Sequence, residues 1–250
     1  MTRKRAYQLH LSRGDFVLKD VQGRNQKCNK ILSVLRDFRQ ISSRSLCLDI
    51  GCSSGVMTSL LGDQFGWAIG IDIDQDAVHY AKDHSPSPLA QFFIGDSMAL
   101  PFRDSSVDVM VCNHIYEHVP QADQMMDEIY RVLKKEGFCY FAAGNRHMIV
   151  EGHYGLPFLS WLPNTLGNLY LKCTGKGNFY YEQHLSLRGL KRLVKKFRIH
   201  DYTLPIIRDP ERFFATDLFN TKSFLYRWVC WLATYLYPWI PTYIWVLTKK

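Results

Sequence analysis

Residues 45–55, SLCLDIGCSSG, restrict the fold more than any other stretch. Leu46, Cys47, Leu48 and Ile50 form a short, almost unbroken apolar run, the composition of a parallel strand covered on both faces. Asp49 interrupts the run, and Gly51 and Gly55 then bracket a tight turn ahead of a helical pattern over 56–61. Strand, glycine loop and helix in succession bring bare backbone and a helix N-terminus to the carboxyl end of a strand, where a ligand approaches closely. Because a Gly-x-x-x-Gly turn also serves purely steric ends, the next segment decides. Residues 67–73, WAIGIDI, read as a second buried strand. It delivers Asp72 about 20 residues beyond the first loop, where an acid can accept both hydroxyls of an adenosine ribose. Asp72 or Asp74 also suits the N-cap of a helix over 75–84, and one carboxylate can cap while the other binds.

The same rhythm continues. A helix is expected over 24–39, with Cys28, Ile31, Leu32, Leu35 and Phe38 on one face. Strands are expected over 89–94, 107–112 and 138–143, with a helix over 121–133 whose Ala122, Met125, Ile129 and Val132 form the buried stripe. Lys134, Lys135 and Gly137 read as that helix's last turn and stop. Strands alternating with helices predict an α/β fold with a parallel sheet wound on both sides. A further helix over 186–197 and strands over 198–202 and 243–248 complete it, with Lys191, Arg192, Lys195 and Lys196 on the helix's solvated face.

Two segments break the rhythm. Residues 145–183 are rich in aromatics and proline without a clean period, and 224–237, FLYRWVCWLATYLY, is a run rich in tryptophan and tyrosine between Lys222 and Pro238. The second is short for a bilayer span, and suits membrane-interface contact or packing over a greasy substrate or partner. The expected organisation is thus an N-terminal arm and helix over 1–40, a cofactor-binding core over 41–145, an acceptor-covering insertion over 146–185, and the rest of the sheet over 186–250 with an aromatic amphipathic insertion at 206–241.

Composition narrows the setting. Seven cysteines without a C-x-x-C pair fall mostly within strands, and read as small core residues of a reducing, cytoplasmic compartment rather than as disulfides or a zinc site. The net charge of +8, with no acid in residues 1–14, favours nucleic acid, anionic lipid or an acidic substrate, or serves solubility alone. That tip lacks the apolar core of a secretory signal, so its retention is expected.

Taken together, LDIGCSSG, GIDID, GDSMALPF, VDVMVCNHIYEHVP and RVLKKEGF resemble the ordered motifs of class I S-adenosylmethionine-dependent methyltransferases. The likeness is closest to the type 11 group, which includes ubiquinone and menaquinone biosynthesis enzymes, and covers about residues 24–145 well. It implies a Rossmann-like, seven-stranded doubly wound sheet with its last strand antiparallel, and S-adenosylmethionine as cofactor. It also implies that Asp49, Gly51, Cys52, Ser53 and Gly55 line the methionine and ribose side, and that Asp72, followed by Ile73, takes the ribose hydroxyls. Asp96 with the backbone of Ser97 and Met98 would face the adenine, and Asn113 would lie beneath the sulfonium. Ser53 stands where many members carry glycine, which also removes a dinucleotide G-x-G-x-x-G fingerprint and with it the nicotinamide reading.

The resemblance implies methyl transfer from that cofactor, and the aromatic insertions around 154–163 and 224–241 suggest a small or lipid-like acceptor, with oxygen ahead of carbon, at the inner face of a membrane if the aromatic insertion meets one. A cofactor-binding scaffold without catalysis is the alternative. Nucleic-acid methylation is disfavoured, since the Asn-Pro-Pro-aromatic turn of base methyltransferases is replaced by Asn113-His-Ile-Tyr116. His114 to His118 matches the H-x-x-E-H zinc pattern but runs from a strand into Pro120, so no metal is expected. His118, His153, Tyr154 and His184 are the candidate bases, and Phe158 and Trp161 line an acceptor pocket or form a satellite core.

Overall fold

The computed structural model describes residues 21–218, 221 and 223–250. The basic tip of the N-terminal arm and Lys222 therefore lie outside the described residues.

The first helix, α1 (Val21–Phe38), leads into β1 (Leu46–Ile50), α2 (Val56–Gly62), β2 (Trp67–Asp72), α3 (Gln75–His84), β3 (Ala90–Ile94) and β4 (Val107–Asn113). Helix α4 (Ala122–Val132) and β5 (Leu133–Gly144) follow. Next come a small hairpin, β6 (Val150–Glu151) with β7 (Leu156–Pro157), a 3-10 turn (Leu159–Trp161) and α5 (Asn164–Cys173). The chain closes with α6 (Leu187–Leu193), β8 (Phe197–Asp201), α7 (Thr203–Arg208), α8 (Phe224–Tyr235), a 3-10 turn (Tyr237–Trp239) and β9 (Thr242–Lys249).

The main sheet has seven strands in the order β3-β2-β1-β4-β5-β9-β8. Strands β1 to β5 pair in parallel, and β9 runs antiparallel to both β5 and β8, so the last strand is reversed as expected. Side chains alternate strictly between two cores. Leu48, Ile50, Met110, Cys112, Cys139 and Phe141 face α4 and α6, while Cys47, Val109, Val111 and Tyr140 face α1 and α2. Burial on both faces explains why the central strands read as unbroken apolar runs.

Some boundaries differ from the sequence pattern. The stretch Lys134–Gly137 does not cap a helix: α4 stops at Val132, and Leu133 is already extended and paired with Val107. Lys134 Nζ donates to Asp108 Oδ1 at 2.8 Å across the two strands, so sheet pairing overrides the local helical stop signal. The helix expected over 186–197 ends at Leu193, and β8 begins at Phe197, one residue early. Residues 145–183 carry the small hairpin and α5 rather than an unstructured loop. No described helix is long and apolar enough to cross a membrane.

Candidate active site

The strand order reverses between β1 and β4, and there the carboxyl ends of β1, β2 and β4, with the loop after β3, leave a crevice. It is lined by Gly51, Asp72, Ile73, Asp96, Ser97 and His118, among others. Gly51 and Gly55 both hold φ near +75°, a backbone that side chains resist. A Cβ at Gly51 would lie 2.2 Å from Ile115 Cδ1, so the turn passes directly beneath the segment after β4.

The two rival carboxylates of the second strand have divided their roles. Asp74 caps α3, accepting from the backbone N–H groups of Asp76 and Ala77. Asp72 stands at the crevice, where Oδ2 accepts from Ser53 N–H at 2.8 Å and Oδ1 from Asp74 N–H at 3.0 Å. These bonds tie the glycine loop to the second strand and fix the carboxylate's orientation while each oxygen keeps a lone pair. Burial raises the Asp72 pKa, opposed by those backbone donors. Asp49 is fully buried at the foot of the loop, with Oδ2 accepting from Thr58 Oγ1 at 2.6 Å and Oδ1 without a partner. Desolvation pushes its pKa up to about 6, against the Thr58 hydrogen bond. An orphaned buried carboxylate oxygen near a second carboxylate that is held in place at the crevice fits a ligand that carries both an amine and a ribose.

Asp96 lies beyond β3, its Oδ1 accepting from Met98 N–H at 2.8 Å. The Met98 donor is therefore committed, and its side chain belongs to the core. Cys52 also departs from expectation: its thiol packs with Val78, Ala81 and Phe92, and its N–H donates to Ile71 O, leaving nothing of its side chain for the crevice.

The segment after β4 is a wall with two sides. Ile115, His118 and Pro120 face the cofactor crevice, while Asn113 and His114 face a second cavity of about 580 Å3. This larger space is lined almost entirely by apolar groups, including Ile31, Ile206, Leu232 and Ile244, with Lys27 and Lys30 also on its lining. Helix α8 contributes Val229, Leu232 and Ala233. Phe158 and Trp161 do not line it; Trp161 lies at the surface against Trp239, with ring centroids 5.5 Å apart.

His114 holds a left-handed backbone, φ 59°, which is unusual outside glycine and points to a functional constraint. Its Nδ1 lies 3.0 Å from Oε1 of Glu117, a fully buried carboxylate. Burial alone would raise the Glu117 pKa, but the His114 hydrogen bond and the charges of His114, His118 and His184 lower it overall. An ionised Glu117 selects the tautomer with hydrogen on Nδ1, leaving Nε2 as a proton acceptor.

Three of the four candidate bases gather in the adjoining network. His118 lies edge-on to His153, with centroids 4.8 Å apart, and 3.8 Å from Glu182 Oε1 through Nδ1. His153 Nδ1 lies 2.7 Å from Glu151 Oε1, and His184 Nε2 lies 3.2 Å from the same oxygen. Glu151 Oε2 accepts from the N–H groups of His153 and Tyr154. Burial opposes ionisation of Glu151, yet these donors hold its pKa well below the carboxylate range. Burial likewise disfavours protonated His153, but Glu151 outweighs it and raises the imidazole's pKa. His184 is sealed in the interior, with Nε2 against Glu151 and its ring stacked on His153 at 6.1 Å between centroids. Tyr154 joins the same network through its N–H on Glu151, while its hydroxyl donates to Phe179 O at 3.3 Å, and burial, reinforced by Glu182 and Glu151, raises its pKa. Its ring packs on a satellite core around Leu156, Leu159, Leu171 and Tyr180.

Two sets, His118–His153–Glu182 and Glu151–His153–His184, hold candidate ligating atoms within 4.8 Å of one another. In the second, Glu151 already accepts from its neighbours with both oxygens, the arrangement of a relay that orients imidazoles. The pairing of His114 with Glu117 is visible in the sequence only as the H-x-x-E-H string, where it suggests a metal pattern, and Glu151 and Glu182 are not singled out because they sit in segments without a period.

A methyltransferase domain model, type 11, matches residues 48–141. Demethylmenaquinone methyltransferase of Lactobacillus johnsonii is 33% identical over 105 residues, which is 39% of this chain and 43% of that protein. The chain thus spans less than half the length of this curated relative. Among solved structures, a protein of Pyrococcus horikoshii covers 92% of this chain and 94% of its own at a TM-score of 0.61 and 17% identity. The plantazolicin methyltransferase BpumL, solved with a monoazolic desmethylPZN analogue and SAH, covers 93% of this chain and 86% of its own at a TM-score of 0.58 and 18% identity. At such identities the structures show the fold, and the domain match carries the family. With its crevice at the sheet's switch point and its carboxylates at the ends of the first two strands, the domain at 48–141 belongs to the class I S-adenosylmethionine-dependent methyltransferases, type 11 group.

Proposed function

We propose that the chain transfers a methyl group from S-adenosylmethionine to a hydroxyl oxygen on an acceptor with an apolar tail. One observation carries this reading: the β4 end separates a crevice carrying Asp72, Asp96 and Ser97 from a large apolar cavity, and a histidine backed by a buried glutamate stands at that wall. When bound, S-adenosylmethionine supplies a methyl group made electrophilic by its sulfonium. Asp72 would hold the ribose hydroxyls, Asp96 and Ser97 the adenine, and the region of Asp49 and Gly51 the methionine end. Asn113 and His114 place the acceptor hydroxyl, the apolar lining receives its tail, and both exclude water from the reacting atoms.

His114 Nε2 would take the hydroxyl proton as the oxygen's electron pair forms the new bond to the methyl carbon and the carbon–sulfur bond breaks, its electron pair returning to sulfur as a neutral thioether. Glu117 holds the ring in the required tautomer and stabilises the imidazolium that results. His118, His153 and Glu151 form the polar flank of the same wall and position it. A scaffold without catalysis would have no use for an acceptor-sized cavity meeting the methyl-transfer wall.

The test is a labelled-methyl transfer assay on an extract's lipid and aqueous fractions, with the product identified by mass spectrometry. Label on an ether oxygen in the lipid fraction is expected. His114→Gln should reduce transfer by about 100-fold while leaving cofactor binding unchanged. Transfer to carbon, or undiminished turnover in His114→Gln, would overturn the assignment.

A further inference from the structure

Helix α8 buries none of its residues, although ten of its twelve residues are apolar or aromatic, Arg227 and Thr234 being the exceptions. Its inner stripe, Val229, Leu232 and Ala233, roofs the acceptor cavity. Its outer stripe, Phe224, Trp228, Trp231 and Tyr235, is 76, 51, 53 and 67% exposed. The rings are arrayed along the helix, with Trp228 to Trp231 at 5.9 Å and Trp231 to Tyr235 at 4.8 Å. Trp239, half exposed beyond the helix, meets Trp161, and Trp161 meets Phe158 at 5.3 Å, so the two irregular insertions share one apolar surface. A contiguous face of this kind marks an interaction site.

We propose that this face seats the protein on an anionic membrane surface, with α8 lying in the interfacial plane over the cavity. Tryptophan and tyrosine dominate the outer stripe, the residues that favour the headgroup level of a bilayer. Twelve residues of helix extend only about 18 Å, short of the hydrocarbon thickness, so α8 lies along the surface rather than across it. Charge agrees with an anionic partner: no aspartate or glutamate follows Asp217, Arg227 lies on the helix, and the chain carries 31 lysines and arginines against 23 acids. Arg208 is held beside the helix by its bond to Thr234 at 3.1 Å. A soluble acidic partner would match the charge, but not a helix whose opposite face roofs a cavity of lipid-tail dimensions. The apolar tail of an acceptor would pass from the bilayer beneath α8 to the wall at Asn113 and His114. This step rests on the acceptor reading above, and the experiment separates the two.

The full chain is floated with phosphatidylcholine vesicles, with and without phosphatidylglycerol, at low and high salt. Flotation with the anionic vesicles, weakened by salt, and a blue-shifted tryptophan emission are expected. The double variant Trp228→Ser/Trp231→Ser should lose about tenfold or more in vesicle affinity, with S-adenosylmethionine binding by calorimetry unchanged as proof of folding. Equal flotation of both proteins would overturn the proposal. So would absent vesicle binding together with a dimer, or a complex with a soluble protein, that the double variant abolishes. Vesicle binding without methyl transfer to any lipid would retain the membrane surface and refute the acceptor reading alone.

Discussion

The cofactor crevice and the acceptor wall stand a few residues apart but are built in opposite ways. The crevice comes from the ends of three successive strand-loop units, and its carboxylates are oriented by backbone N–H groups: Ser53 and Asp74 on Asp72, Met98 on Asp96. The wall is assembled from distant segments, with His118 facing Glu182 and His184 sharing Glu151 with His153. A backbone-held carboxylate keeps its place when a neighbour changes, whereas a network of paired side chains depends on every partner. The crevice should therefore respond to mutation one residue at a time, and the wall as a unit.

The largest expected break lies in the crevice. Asp72→Ala should weaken S-adenosylmethionine binding by about 100-fold or more by calorimetry, because a charge-assisted pair of bonds to a diol is lost. An affinity within threefold of the parent would remove Asp72 from the site. On the wall, Glu117→Gln should lower kcat by about 10- to 100-fold with little change in cofactor affinity, since His114 then loses its tautomer restraint. An equal loss in both parameters would make Glu117 a general structural support.

A smaller effect comes from Asp49. Its folded pKa of about 6 stands above the ordinary 3.8, so the folded chain holds this proton more tightly than the unfolded one. The resulting stability is complete below the unfolded pKa and is lost as pH rises through about 6. Asp49→Asn, measured without cofactor, should therefore raise Tm by a few degrees at pH 8 and leave it nearly unchanged at pH 4. A difference that grows toward acid would reverse the assignment. The smallest concerns Asp74, whose removal as Asp74→Ala should cost about 1 kcal/mol in denaturant unfolding, as for other N-caps. Cofactor affinity should hold, since its neighbour and not Asp74 faces the crevice.

Local pattern alone was enough to identify the core of the sheet. The nearly unbroken apolar runs of β1, β4 and β5 and the one-sided stripe of α1 need only the residues' own order, because a strand or helix must present its apolar surface to something. The glycine loop and Asp72 were legible for the same reason: backbone conformation and strand ends are local properties. Even here the division between Asp72 and Asp74 required coordinates, since both residue types satisfy the same cap. The strand at Leu133–Gly144 shows the converse, where pairing with β4 overruled a sequence that reads as a helix stop.

By itself, then, the amino-acid order determined a doubly wound sheet with a nucleoside-binding crevice at the ends of its first strands. Tertiary structure alone decided that His114 faces a cavity, that Glu117, Glu151 and Glu182 sink into the interior opposite histidines, and that α8 roofs apolar space with one side and shows aromatic rings on the other. The physical reason is distance along the chain. Bonds between neighbours leave a periodic trace, while a buried carboxylate and the imidazole that compensates it can lie anywhere in the sequence, provided that the fold brings them together.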